Sequence, residues 1–481
     1  METSPFIGRK EEISRLNFLF EKRSASLVVV KGRRRIGKSR LVEEFSKDKR
    51  FLRFSGIPAT PDITEQKQRD VFAQQLIKQI PGPSLKAEDW SELFSYLASQ
   101  IKDEPTVILF DEISWMGSND PTFLGKLKNA WDMEFKNHPH LILILCGSIS
   151  TWIEDNIIKS TAFFGRISLT LHVEELSLPE CSAFLDKKGF RGSSYEKFKI
   201  LSVLGGIPWY LEQVQPKLNA DENITHLCFR KGGVLVREFD LIFHDLFTQR
   251  NETYKHIIDV LSQSSLEFNQ IADKVKYSKS GALTDYLNNL TEAGFVTRNY
   301  TWNIKTGKES PRISHYRLSD NYIRFYLRYI APQLSKIERD DFRSVSPSNL
   351  PGWDTVMGLQ FENLVLKNRH KIKEYLRIRP EDVIIDNPYF QRHTTTHPGL
   401  QVDYLIQTRH KVLFFCEIKF SRQEIKTNII SETQEKLNKA TIPRGMACCP
   451  VLIHMNGTEN GVVDNQYFTE IIDFSTFLEH E

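Results

Sequence analysis

Through the first third of this chain, short runs of consecutive apolar residues alternate with stretches of helical period. Val28-Val29-Val30, Phe51-Leu52-Arg53-Phe54, Val107-Ile108-Leu109-Phe110 and Leu141-Ile142-Leu143-Ile144-Leu145 are apolar at nearly every position. A strand without a polar face must be covered on both sides, as in a parallel sheet held between helical layers. The intervening segments supply helices: Leu16, Leu19 and Phe20 recur at helical spacing, as do Leu41, Val42 and Phe45, and a polar helical region follows the second strand. The alternation predicts a three-layer α/β core with a parallel sheet over residues 1–176, and a small helical lid over 177–245. Within that lid, Leu204-Gly205-Gly206-Ile207-Pro208 reads as a turn followed by a fresh helix start.

Residues 246–335 change rhythm. Helices are expected over 256–262, 268–275 and 281–293, the last carrying Leu283, Leu287 and Leu290 on one face and ending at Gly294. The segments 295–300 and 313–318 alternate like the two strands of a wing, completing a winged-helix order. Ser280, Thr284 and Asn288 would then face a DNA groove, with Lys276 and Lys279 near phosphates. The other role open to such a module is regulation within the chain. An aromatic helix over 322–330 is expected to pack back on the first module, and the polar tract 336–352 reads as a linker. Residues 353–481 form a separate α/β pattern: a helix around Glu362, strands at 401–406 and 412–420 joined by a polar turn, and an amphipathic end helix over 467–481.

Candidate chemistry concentrates where the first strand ends. Lys31-Gly32-Arg33-Arg34-Arg35-Ile36-Gly37-Lys38-Ser39-Arg40 places Gly-x-x-x-x-Gly-Lys-Ser between a strand and a helix. The glycines let the backbone curl around phosphate oxygens with N–H groups inward, above the positive end of the helix. Gly32, Arg33, Arg34, Arg35, Ile36, Gly37, Lys38, Ser39 and Arg40 are therefore the expected ATP-binding segment, with Lys38 on the β- and γ-phosphates and Ser39 on Mg²⁺. The third apolar strand ends in Asp111-Glu112. Asp111 is expected to hold the Mg²⁺ shell and Glu112 to orient or deprotonate the attacking water. Ser148, ending the fourth strand, either senses the γ-phosphate or caps the next helix. Arg166 is either an arginine that stabilises transition-state charge, in cis or from a neighbouring subunit, or an ordinary surface residue. Phe6-Ile7-Gly8-Arg9-Lys10-Glu11-Glu12 either lies against the base or simply leads in a packing helix.

Taken in order, Phe-Ile-Gly-Arg-Lys-Glu-Glu, Gly-Arg-Arg-Arg-Ile-Gly-Lys-Ser-Arg-Leu, Phe-Asp-Glu, Cys-Gly-Ser, Phe-Gly-Arg and Gly-Gly-Ile-Pro resemble the archaeal-type ATPases of the AAA+/STAND group. The resemblance covers about residues 1–330. It implies an ATPase core, a helical lid and a winged helix that form an ATP-controlled switch, with a homo-oligomer open as an assembly.

In the last third, Glu417 and Lys419 interrupt a very apolar strand and point to one face of it. A hairpin centred near His410 sets Asp403 opposite or diagonal to Glu417, and Glu362 can approach from its helix. Three carboxylates beside an ammonium suit one or two Mg²⁺ ions, or Mn²⁺. Glu…Asp…Glu-x-Lys resembles the PD-(D/E)XK nuclease superfamily, with Val402-Asp403 in place of the leading Pro-Asp. The resemblance implies a restriction-endonuclease-like domain over 353–481, metal binding at Glu362, Asp403 and Glu417, catalysis by Lys419, and DNA as partner. His393, His397 and His410 lie in polar segments and read as surface residues.

Composition narrows this little. Net charge is only +3, so a nucleic-acid surface has to be local. None of the six cysteines makes a Cys-x-x-Cys pair, which points to reduced thiols without structural zinc. No apolar run approaches a membrane span, and a cytoplasmic location is expected. The expectation is an ATPase fused to a metal-dependent nuclease-like domain; the alternative is a regulatory ATPase or DNA-binding switch whose nuclease-like domain is inactive.

Overall fold

The computed structural model describes residues 6–479 apart from 59, 61, 83–87, 149–150, 247–250, 280 and 396. They fall into two compact units, Met1–Leu176 with Ile207–Trp209, and Ser177–Gly206 with Tyr210–Glu481. The four segments expected after residue 176 thus lie in one unit, apart from the three residues 207–209.

In the first unit, β1 (Ser26–Gly32), β2 (Arg50–Ser55), β3 (Thr106–Asp111), β4 (Leu141–Ser148) and β5 (Ile167–Val173) form one sheet in the order β2-β3-β4-β1-β5. Every pairing is parallel. β3 is buried along its whole length, as its unbroken apolar run requires. The polar region after β2 forms two helices, Glu65–Gln79 and Trp90–Ser99, which join Phe123–Met133 in an aromatic core around Phe54, Phe72, Phe94 and Phe110. Phe72 lies 4.4 Å from Phe54 and 5.6 Å from Phe110, ring centre to ring centre.

The second unit begins with short helices whose starts are written locally: Ser177 and Glu180 form a capping box, as do Asn219 and Glu222. Then come the helices Asn251–Leu261, Phe268–Val275 and Gly281–Glu292 with β6 (Leu266–Glu267), β7 (Val296–Asn303) and β8 (Lys308–Leu318). The three strands form a sheet in the order β6-β8-β7. Gly294, at φ 78°, ends the third helix in the left-handed conformation that glycine takes without strain. β9 (Val383–Gln391), β10 (Leu400–Thr408), β11 (Val412–Lys419), β12 (Ala447–His454) and β13 (Glu470–Asp473) build a mixed sheet in the order β13-β12-β11-β10-β9. β9, β10 and β11 are antiparallel, and β12 and β13 run parallel to β11.

Three expectations change. The end helix is instead β13 and a short 3₁₀ turn, Phe474–Leu478; a short apolar run has no period that separates strand from helix, and pairing with β12 decides. The polar tract 336–352 is tied down rather than loose. Ile337 is fully buried, Thr225 Oγ1 donates to the Val345 carbonyl (3.0 Å), and Ser348 Oγ donates to Asp221 (2.9 Å). The aromatic helix divides into Asn321–Phe325 and a π-helical Tyr326–Ile330, and it packs within the second unit on Tyr210, Phe229 and Phe239.

β7 and β8 run longer than the two strands expected there, because the C-terminal sheet covers them. Trp302 and Ile304 share one core with Tyr389, Leu400, Val402, Leu405, Leu413 and Phe415. Trp302 Nε1 donates to Gln407 Oε1 (2.7 Å), Gln407 Nε2 donates to the Ile304 carbonyl (2.8 Å), and Thr301 Oγ1 donates to the Phe390 carbonyl (2.7 Å). Trp302→Ala should lower the stability of the second unit by about 3–5 kcal/mol, read from the urea unfolding midpoint by circular dichroism. A loss under about 1 kcal/mol would mean that the β7–β8 hairpin and the C-terminal sheet do not stabilise each other.

Candidate nucleotide site and a buried carboxylate cluster

The loop after β1 turns through left-handed backbone at Arg35 (φ 66°) and Gly37 (φ 90°) before the helix Lys38–Phe45 begins. A Cβ added at Gly32 would lie 2.6 Å from the Val173 carbonyl oxygen, so β1 and β5 hold this register only with glycine there. Lys38 is buried and donates to the carbonyls of Gly32 (2.9 Å) and Arg33 (3.1 Å). Ser39 Oγ donates to Asp111 Oδ2 at 2.9 Å. The Arg53 guanidinium, from β2, donates to the same oxygen (2.7 Å) and to Glu43 (2.6 Å).

Glu112 sits beside them in left-handed backbone, φ 50° and ψ 52°. Burial raises its pKa and the neighbouring Asp111 adds to the rise, while the Lys38 ammonium opposes it. Ser148 Oγ makes a long hydrogen bond of 3.5 Å to Glu112 Oε1. Arg33 and Ile36 are buried, and the Ile36 carbonyl accepts from the buried Arg9, which also donates to the Glu174 carbonyl after β5. Arg34 lies close enough to favour the ionised form of Glu112. Arg40 stays nearer the surface, 3.9 Å from Glu43. The Arg35 guanidinium carbon lies 3.4 Å from the centre of the Trp209 ring, in the one stretch of the expected lid that belongs to this unit. Hard oxygens at Ser39 and Asp111, a glycine cradle and a buried lysine suit a magnesium-bound nucleoside phosphate.

Arg166 is elsewhere. Its guanidinium forks onto Asp132 through two bonds of 2.8 Å and holds that carboxyl well below its usual range. It precedes Ile167, which pairs with Leu27 near the start of β1, whereas the phosphate loop leaves Gly32, opposite Val173. Six residues of strand, at about 3.3 Å each, separate the two levels, beyond the reach of one side chain. In this register Arg166 lies at the opposite end of β5 from its own phosphate loop.

In the second unit, β10 and β11 form the expected hairpin. The paired register ends at Tyr404 and Cys416, which places Asp403 and Glu417 next to it, close enough for the charge of Asp403 to act on Glu417. Asp403 Oδ2 accepts from the Ile418 amide (3.1 Å). Glu417 is 3% exposed, and both its oxygens accept from Lys436 Nζ at 2.7 Å. Lys419 turns instead to Glu432 (3.0 Å). Glu362 lies 3.8 Å from the Arg317 guanidinium. Burial first, then the charge of Asp403, pushes Glu417 up to about 7, and burial raises Glu362 and Asp403. Among the described residues, no group of three or more His, Cys, Asp or Glu is arranged to hold a metal ion. The donor chemistry of Glu362, Asp403 and Glu417 is right for a hard cation, but an ammonium sits on Glu417, so the open three-carboxylate cradle expected from the sequence is not the arrangement found.

Residues 6–214 match the family of ATPase domains found predominantly in Archaea. The chain carries an archaeal-type ATPase domain. An uncharacterized protein of Methanocaldococcus jannaschii is 28% identical over 339 residues, 70% of this chain and 71% of that protein. An uncharacterized ATP-binding protein of the same organism is 38% identical over 50 residues, 10% of this chain and 85% of its own. The fold is similar to that of a Walker-type ATPase of Pyrococcus abyssi, with a TM-score of 0.51, 19% identity, and coverage of 67% of this chain and 96% of that one.

In the ATPase domain, sequence reasoning missed Arg9 and Arg53; in the second unit it missed Lys436. Arg53 had a signal, a cation set between apolar residues of a strand, whereas nothing in the spacing ties Lys436 to Glu417. Of the residues expected near DNA, Ser280 lies outside the described residues, Asn288, Lys276 and Lys279 are exposed, and Thr284 is half-buried. No described helix is long and apolar enough to cross a membrane. Arg166→Ala should leave the chain's affinity for a fluorescent ATP analogue within about twofold of wild type. A tenfold loss would place Arg166 at its own phosphate loop.

Proposed function

We propose that the ATPase domain hydrolyses MgATP and that its nucleotide state controls a DNA-directed second unit. The observation that carries this is the Ser39–Asp111 hydrogen bond with buried Glu112 beside it. Mg²⁺ would be held by Ser39 and Asp111 and would neutralise charge on the β- and γ-phosphates. The phosphate-loop amides and Lys38 bind the phosphates, Lys38 exchanging its loop carbonyls for phosphate oxygens. Glu112, made more basic by burial, takes the proton of the attacking water, and Ser148 orients its carboxylate. Arg53 offsets the charge of Asp111. Arg166 serves only a second copy's nucleotide, and the exposed Phe164 and Met133 near it suit such a contact. Lys38→Ala should abolish turnover. Glu112→Gln should cut it about 10²–10⁴-fold while ATP still binds, measured by phosphate release and by nucleotide affinity. Wild-type turnover in Glu112→Gln would remove it as the base.

For the second unit, the reading is a winged helix joined to a PD-(D/E)XK-like nuclease domain, with Glu362, Asp403, Glu417 and Lys419 as its site. Support comes from Asp403 lying close to Glu417, with Lys419 two residues on along the same strand face. With the wing packed on the C-terminal sheet, DNA contact falls to the Gly281–Glu292 helix and Lys276. A second reading, a regulatory switch whose nuclease-like domain does not cut, is favoured by the Lys436–Glu417 ion pair. Linear, circular and single-stranded DNA incubated with Mg²⁺ or Mn²⁺, with and without ATP, separates the two. Cleavage by wild type but not by Asp403→Ala or Lys419→Ala supports the nuclease, and no cleavage on any substrate supports the switch.

A further inference from the structure

The lysines and glutamates around β11 are paired crosswise. The strand lysine, Lys419, bonds the helix glutamate, Glu432, and the helix lysine, Lys436, bonds the strand glutamate, Glu417. Glu432 and Lys436 are one turn apart on the helix Asn428–Lys439, so a single placement of that helix makes both pairs. The placement is set by apolar packing. Ile429 lies in a core with Ile425, Leu452, Val462 and Phe468, and the fully buried Thr433 donates to the Ile429 carbonyl (2.8 Å). Lys436 follows Thr433 by three residues and Ile429 by seven, on the same helix face. The core therefore delivers its ammonium to Glu417, where it bonds both carboxylate oxygens at 2.7 Å.

A divalent cation at this cluster would need those oxygens. Hard ions bind through carboxylate lone pairs, and a second cation beside an ammonium that already bonds both oxygens is repelled. Glu417 cannot simply go without a counter-ion, since an unpaired buried carboxylate is costly. Ammonium and metal are thus alternatives. Lys419 and Arg324 also act on the three carboxylates, but the cations within ion-pair distance, Lys436 at Glu417 and Arg317 at Glu362, come from different elements, the β11–β12 crossover helix and strand β8. We propose that Lys436 is the resident cation of the Glu362–Asp403–Glu417 cluster and keeps it closed to divalent ions until the Asn428–Lys439 helix releases the ammonium. The proposal rests on the nuclease-like reading of this sheet, which supplies the reason for an ion to enter at all.

The test is Mn²⁺ binding to the full chain without nucleotide, followed by the paramagnetic resonance of free Mn²⁺. Wild type, Lys436→Arg, Lys436→Gln, Asp403→Asn and the double variant Lys436→Gln/Asp403→Asn are compared, so Mn²⁺ held elsewhere is common to all and subtracts. Lys436→Gln should gain an Asp403-dependent site at least about tenfold tighter than any in wild type, and Lys436→Arg, which keeps the cation, should resemble wild type. Wild type binding as tightly as Lys436→Gln, with both lost on Asp403→Asn, would overturn the proposal while leaving the metal site standing. No Asp403-dependent binding in a folded Lys436→Gln would overturn the proposal and the metal reading together. Unfolding midpoints establish folding. If Lys436→Gln alone unfolds, Lys436→Gln/Glu362→Gln removes a carboxylate with the cation and carries the same comparison, with a gained Asp403-dependent site supporting the proposal and none overturning it.

Discussion

Two parallel strands cannot both be neighbours of β1 on one side, and the identity of the strand between β1 and β3 governs the nucleotide site. Because β4 takes that place, the acid-bearing end of β3 stands two strand spacings, about 10 Å, from the phosphate-loop strand. The Ser39 hydroxyl, one residue into the helix that follows the loop, bridges that gap to Asp111. The same insertion brings Ser148, at the end of β4, to Glu112, while on the other side of β1 the parallel pairing of β5 leaves Arg166 at the opposite end of the sheet. Hydroxyl, two carboxylates and lysine are gathered by strand order before any side chain chooses a rotamer.

A different economy governs the second unit. The β7–β8 hairpin is not free; Trp302 and Ile304 complete the core of the C-terminal sheet, and Gln407 satisfies the indole N–H that burial would otherwise strand. Charges are treated the same way. Glu417 is too deep to stand without a counter-ion, and the helix that covers the sheet brings one. The carboxylate is thereby held in a buried position by an ion pair within its own unit.

Legibility in the sequence followed the range of the interactions. The phosphate loop, the Asp111-Glu112 strand end and the β10–β11 hairpin could be read because their chemistry is carried by neighbours in the chain: glycines at a turn, acids ending an apolar run, a polar turn between alternating strands. Arg53 is a cation set between apolar residues of β2 and could have been noticed, but its partner Asp111 lies 58 residues on. The tract 336–352 looked like a linker because composition records polarity and not the burial of Ile337.

By itself, the sequence determined the Gly-x-x-x-x-Gly-Lys-Ser turn between a strand and a helix, the acids that end the third strand, and that the chain needs a doubly covered parallel sheet, because local backbone geometry and hydrophobic period follow from residue order. Only the tertiary structure decided that Arg166 sits away from its own phosphate loop, that the β7–β8 hairpin belongs to the C-terminal core, and that Glu417 is paired with Lys436 rather than left open beside Lys419. Each of these depends on strand order or helix placement across long separations, where no spacing rule links the partners.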